Sequence, residues 1–161
     1  MLSALTEEGV RFVLIGGMAA ILHGDVGVTV DLDVVPERSR ENLERLAAAL
    51  RDLRARIRTQ GEPDGLAFDC SAEFFRNLAP DALINLTTHA GDLDLTFQPS
   101  GTRGYSDLRR DAVEIEAADR LPILVASLED VIRSKEAAGR EKDRAALPRL
   151  RRLLDRLRAR E

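Results

Sequence analysis

The chain has 161 residues, 44% of them apolar and 32% charged, with a net charge of −4 and one cysteine. This length suits one domain with a real core, and no stretch approaches the roughly 18 uninterrupted apolar residues of a membrane span. Met1 to Gly9 lacks a basic region followed by a long apolar run, and Cys70 alone cannot form an intramolecular disulfide, so a cytoplasmic location is expected. The charge is uneven: residues 133–161 hold eleven Lys and Arg against five Asp and Glu. A basic tail beside an acidic body suits a polyanionic partner, although a solvated arginine-rich helix has the same composition.

Residues 2–9 read as a short helix stopped by Gly9, followed by an apolar strand over 10–15. Gly16-Gly17 ends that run, and a short apolar segment, Met18 to Leu22, follows. A glycine pair between a strand and a short helix lets backbone approach a phosphate closely. The next strand is read over roughly 28–35 and stops at Pro36. Its period of two puts Asp31 and Asp33 on one face, with Val30, Leu32 and Val34 on the other. Ser39 can cap a helix over about 40–57, in which Leu43, Leu46, Leu50, Leu53 and Ile57 form one apolar stripe.

Thr59 to Gly65 reads as a loop and Ser71 to Leu78 as a short helix. Residues 82–88 and 92–97 read as strands joined through a turn at 89–91, with Asp92 and Asp94 on one face. After a Pro/Gly/Ser loop over 98–104 come a helical turn near 105–111 and short strands at 112–117 and 121–126. Ser127 and Asp130 resemble a capping box that opens a helix over 128–138, closed by Gly139. The last helix spans about 141–159 and contains Pro148, which predicts a kink there or a regular helix starting near Leu147. The sum is an α/β (α+β) domain over 1–161, a small mixed β-sheet flanked by helices. Its sheet core covers about 1–126 and its basic helical segment about 127–161.

Two acids side by side on an apolar strand repel each other and lose hydration unless a cation neutralises them. Oxygen-only ligation of this kind suits Mg²⁺ or Mn²⁺. Other chemistries find less support. His23, before a glycine and without Cys or His partners, reads as a packed helix end, and His89 as a solvated turn residue. Neither Cys70 nor Ser127 has a base partner in the pattern, so nucleophilic hydrolysis is unsupported.

The order strand, Gly16-Gly17, short helix, then Asp31-Leu32-Asp33 on the next strand resembles the DNA polymerase β-like nucleotidyltransferase superfamily. Ile15-Gly16-Gly17, Ala19-Ala20, His23-Gly24 and Thr29-Val30-Asp31-Leu32-Asp33 look closest to its small prokaryotic branch. That branch includes the AbiEii-like and MenT-like toxins of type IV toxin–antitoxin systems. The resemblance implies the minimal nucleotidyltransferase fold and transfer of a nucleoside monophosphate from an NTP with two metal ions. It implies Asp31 and Asp33 as bridging metal ligands, and a third carboxylate from a neighbouring strand on the nucleophile side. Asp92 and Asp94 both face the right way, and the family pattern Gly-x-Leu-Asp-Leu selects Asp94. Gly16 and Gly17 would admit the phosphates, and Thr29 shares the face of Asp31.

A second segment, Ser134 to Asp143, resembles the Lys-x-x-Ala-x-x-Arg-x-Lys-Asp stretch that follows the sheet in these proteins. It implies that Lys135 reaches the triphosphate, although a lysine in a last helical turn also complements the helix dipole. Arg140 and Lys142 would contact phosphate or be held by Asp143, which could also cap the next helix. Asp143 also matches an acidic position that the toxin-like relatives use near the active site, which implies it among the nucleotide-binding residues. The chain departs from wider superfamily patterns in three places: Gly-Gly stands for Gly-Ser, no arginine precedes the acids, and Pro148 interrupts the last helix. The implied acceptor is RNA, such as a tRNA 3′ end, with a cognate antitoxin as partner. The alternatives are transfer to a protein or a small molecule, or an inactive transferase-like binding module.

Overall fold

The computed structural model describes residues 1–117 and 120–159; Arg160 and Glu161, the end of the basic segment, lie outside the described residues. Along the chain the elements are α1 (Leu2–Glu7), β1 (Phe12–Ile15), α2 (Gly16–Leu22), β2 (Asp31–Pro36), α3 (Arg40–Asp52), β3 (Arg56–Thr59) and β4 (Glu62–Leu66). They continue with α4 (Ala72–Asn77), β5 (Leu83–Thr88), β6 (Gly91–Thr96), α5 (Tyr105–Asp111), β7 (Val113–Glu116), β8 (Pro122–Val125), α6 (Leu128–Ala138) and α7 (Glu141–Arg158). The strands form one mixed sheet in the order β4-β3-β5-β6-β2-β1-β8-β7. The pairs β2–β6 and β1–β8 are parallel and the others antiparallel. This is the α/β arrangement that the alternation of apolar and polar residues predicts.

Several local signals act as read. Gly9 ends α1 in the left-handed region at φ +68°, and the Val10 amide returns to the Leu5 carbonyl, a Schellman closure. Ser39 and Ser127 accept hydrogen bonds from the amides of Asn42 and Asp130, capping α3 and α6. Ser71, for which no cap was expected, does the same for α4 from the Phe74 amide. Only half of the capping box at Ser127 forms, because the Asp130 carboxylate turns to Arg133. Gly139 closes α6 at φ +61°. The stripe on α3 is real over Leu43, Leu46, Leu50 and Leu53, all buried with Phe75, Leu86, Leu93 and Leu95 in one core. Leu86, Leu93 and Leu95 leave the opposite sheet face to polar residues, because side chains alternate along a strand.

Four expectations are corrected. Strand β2 starts at Asp31 rather than near 28, and Val26, Val28 and Val30 are 84%, 92% and 86% exposed. The reason is pairing: β1 reaches only Ile15 opposite Asp33, and β6 only Asp92 opposite Asp31. Before Asp31 the ladder to β1 has already ended, and β6 has only its first residue, Gly91, left to offer. Helix α3 ends at Asp52, because Arg54 turns left-handed at φ 54° and the Ala55 amide returns to the Leu50 carbonyl. Ile57 therefore leaves the apolar stripe and pairs with Leu86 in the sheet. The expected loop at 59–65 is a hairpin whose Gly61 takes φ +90°, with Pro63 kept on the outermost strand β4. Helix α7 runs from Glu141 through Pro148 to Arg158, so the regular helix does not start near Leu147.

Candidate active site

The acidic face of β2 and β6 forms one side of a cleft of about 630 Å³. Gly16, Gly17, Thr29, Asp31, Asp33, Asp94, Lys135 and Arg140 all line it. The parallel pairing of β2 with β6 sets Asp33 opposite Asp94 and Asp31 opposite Asp92. Asp94 lines the cleft. Asp92 does not, and it ion-pairs with Arg58 at 2.6 Å.

Burial first, then the charges of Asp31 and Asp94, push the Asp33 carboxyl up to about 6, against the opposing pull of Lys135 and Lys142. The Asp31 carboxylate accepts a hydrogen bond from the Thr29 hydroxyl at 2.8 Å. Thr29 thus reaches Asp31 from the loop before β2 and not from within the strand. On Asp94, Oδ1 accepts from Arg58 at 2.6 Å and from Asn85 at 2.8 Å. The glycine pair is a steric requirement of this corner. Gly16 has φ +76°, and a Cβ there would lie 2.0 Å from Asp33 Oδ2, while a Cβ at Gly17 would lie 2.8 Å from the Thr29 hydroxyl. Any side chain at Gly16 would displace the carboxylate that follows it in the site.

The opposite wall is basic. Lys135 ends in the cleft with its ammonium 3.1 Å from Asp143 Oδ1, and Arg140 donates from Nε to Asp143 Oδ2 at 2.6 Å. Asp143 is fully buried and does not line the cleft. The structure therefore does not place it where it would touch a nucleotide, the position that the resemblance implies; it sits behind the two cations. Burial works against its charge, yet the hydrogen bonds from Arg140 and Lys135 outweigh that and hold its carboxyl below the ordinary carboxylate range. Asp143 anchors these two cations from the first turn of α7 and does not cap that helix, whose N-cap Arg140 makes no side-chain cap. Lys142 lines the cleft and forms no ion pair among the described residues.

Four participants were not read from the sequence. Arg149 of α7 grips Asp25 through two hydrogen bonds, at 2.5 and 3.0 Å, and so ties the loop before β2 to the last helix. That bond lowers the Asp25 carboxyl. The two residues are far apart in sequence and share no local pattern. Asn85 could have been found from the hairpin, whose register sets it opposite Asp94. Arg58 lies just past the helix expected over 40–57, on a short strand that was not expected. The bland readings of histidine agree with the structure: His23 Nε2 lies 2.8 Å from the Ala126 carbonyl at the end of β8, and His89 is exposed. Burial pushes the Cys70 thiol up to about 11, so it is not a poised nucleophile.

Asp31, Asp33 and Asp94 offer only carboxylate oxygens, and the raised Asp33 marks unbalanced negative charge, so the donor set fits a hard divalent cation. Among the described residues no three His, Cys, Asp or Glu side chains already stand in metal-binding spacing. A cation would have to draw the carboxylates together. No described helix is long and apolar enough to cross a membrane.

No protein-family model and no curated protein matches this chain. Several solved chains share its fold. The lincosamide antibiotic adenylyltransferase LnuA, in its lincomycin-bound form, superposes with a TM-score of 0.59 at 17% identity, over 94% of this chain and 92% of that one. A candidate nucleotidyltransferase from Thermotoga maritima, TM1012, superposes with a TM-score of 0.57 at 15% identity, over 96% of this chain and 88% of that one. The chain has the nucleotidyltransferase fold. At these identities the likeness concerns the fold and leaves the toxin branch unassigned.

Proposed function

We propose that this chain is a metal-dependent nucleotidyltransferase that transfers a nucleoside monophosphate from an NTP to an acceptor hydroxyl. The supporting observation is the convergence of Asp31, Asp33 and Asp94 with Gly16, Gly17 and Lys135 on one cleft. When bound by Asp31, Asp33 and Asp94, Mg²⁺ or Mn²⁺ would neutralise phosphate charge and lower the pKa of the attacking hydroxyl. The chain's own residues do the rest. The glycine pair admits the phosphates, and Lys135, fixed by Asp143, presents its charge to the triphosphate with Arg140 beside it. Asp94 stands on the nucleophile side. The acceptor oxygen bonds to the α-phosphorus while the bond from phosphorus to the bridging oxygen breaks. Pyrophosphate leaves with that electron pair, and the hydroxyl proton passes to a cleft carboxylate.

For the acceptor we favour RNA, with a tRNA 3′ end as the leading case, in a cytoplasmic toxin-like enzyme partnered by an antitoxin. Lys142, Arg149 and Arg156 recur every seven residues and share one flank of α7, which starts at the cleft. Lys142, Arg152 and Arg156 form no ion pair among the described residues and are free for phosphates. A small-molecule hydroxyl is the second reading, favoured by the likeness to an adenylyltransferase that holds lincomycin. The test is incubation with each α-labelled NTP, Mg²⁺ or Mn²⁺, and total RNA or lysate, beside Asp31→Asn. Label entering tRNA only with the native protein supports the first reading, and label in a small molecule supports the second. Absence of transfer to every acceptor contradicts the enzyme.

A further inference from the structure

A row of polar side chains crosses the sheet at the cleft. Asp33 on β2 stands opposite Asp94 on β6, and Asp94 opposite Asn85 on β5. On β3, Ile57 stands opposite Leu86, so the antiparallel register continues with Arg58 beside Asn85. Arg58 reaches along this row to both acids of β6. Its Nη1 lies 2.6 Å from Asp92 Oδ2 and its Nη2 lies 2.6 Å from Asp94 Oδ1. Asn85 Nδ2 donates to that same Oδ1 at 2.8 Å. Two donors therefore converge on one oxygen of Asp94, while Oδ2 accepts no hydrogen bond among the described residues. The Asp94 side chain is 12% exposed and Arg58 30%, so this charge sits at the rim of the acid cluster and is partly shielded from water.

We infer that Arg58, anchored by Asp92, is a positioning residue that leaves Asp94 one open oxygen and makes the nucleotide-free cleft hold one divalent cation tightly and a second only weakly. The inference rests on the metal-dependent reading above. A guanidinium cannot give up its charge at working pH, so it stays beside Asp94 as a competing cation. Its fork fixes the carboxylate's orientation through a charge-assisted bond. Among the described residues no such cation is bonded to Asp31 or Asp33, so the stronger pull on a metal is on β2. Asp92 is then not a spare ligand. It is the second anchor of the fork.

The test is Mn²⁺ binding followed by the electron paramagnetic resonance signal of free Mn²⁺, without nucleotide, for the native chain, Arg58→Gln and Asp33→Asn. The native chain should bind one Mn²⁺ tightly and a second at least about tenfold more weakly, and Arg58→Gln should tighten the second about tenfold while sparing the first. Asp33→Asn should lose the tight site. Equal native sites, or an unchanged or weaker second site in Arg58→Gln, would overturn the inference and leave the metal reading standing. No Mn²⁺ uptake by the native chain would overturn the metal reading and this inference together. Circular dichroism checks that Arg58→Gln folds; if it does not, Arg58→Met, which keeps the stem and removes the charge, must tighten the second site in the same way.

Discussion

The helices α6 and α7 hold most of their charge in pairs, whereas Asp31 and Asp33 on β2 face the cleft and are bonded to no cation among the described residues. By count the C-terminal segment is strongly basic. Yet Arg133 pairs with Asp107 and Asp130, Lys135 and Arg140 with Asp143, and Arg149 with Asp25. Arg151 and Arg158 of α7 pair with Glu136 and Glu129 of α6. Most of the basic excess is neutralised within the fold; among the described residues Lys142, Arg152 and Arg156 stay unpaired on one flank of α7, and Arg144 on another. The acids of β2 are left repelling one another, and burial together with that repulsion drives the Asp33 carboxyl up to about 6. Uncompensated charge of this kind is a stronger pointer to a ligand than a larger charge that has found its partners.

The largest effect is expected from Asp33→Asn. It should abolish nucleotidyl transfer by at least about a hundredfold, while leaving the melting temperature unchanged or higher because one repelling charge is gone. A lowered melting temperature would mean that the acids support the fold, like their counterparts in the C-terminal helices. The reverse pattern is expected at Asp143, where Asp143→Ala strands Lys135 and Arg140 and should destabilise the protein by about 3 kcal/mol in urea titrations. A loss well under 1 kcal/mol would sink the buried anchor.

The two acids should also answer to pH with opposite signs. The Asp33 carboxyl binds its proton more tightly folded than unfolded, so its charge is tolerated less in the native state. Stability should therefore fall by about 1–3 kcal/mol as pH rises from about 4 to about 6, and Asp33→Asn should flatten that slope. Asp143 is held below the ordinary carboxylate range, so its contribution is present above about pH 4 and is lost as pH falls below that. The penalty of Asp143→Ala should shrink accordingly in acid. Smallest of all, Arg158→Ala removes a pair whose partners are 60% and 49% exposed, and should change stability by less than about 0.5 kcal/mol. A larger change would give this outer pair the weight assigned to the buried anchor.

Much of the site was legible because it is written in short-range patterns. The alternation around Asp31 and Asp33, the glycine pair, and the hairpin carrying Asp94 each lie within a few residues, and strand periodicity states which face they share. The caps at Ser39 and Ser127 and the stops at Gly9 and Gly139 were legible for the same reason, since a helix end is decided by one turn of chain. The misreadings occurred where a local pattern met a distant partner. Ile57 continued the apolar spacing of α3 but was taken by β5. Val28 and Val30 had strand character but no strand beside them to bond. Arg58 and Arg149 left no mark at all.

By itself the sequence determined the α/β class, the cap positions, the apolar face of α3 and the pairing of acids along β2 and β6. These follow from backbone sterics and the periods of helix and strand. The tertiary structure alone decided that β2 and β6 are neighbours in register, that Lys135 and Arg140 share a buried Asp143, and that Arg58 closes on Asp94 from two strands away. Those outcomes depend on which surfaces meet, and ion pairs and cross-sheet contacts form between groups that no local period brings together.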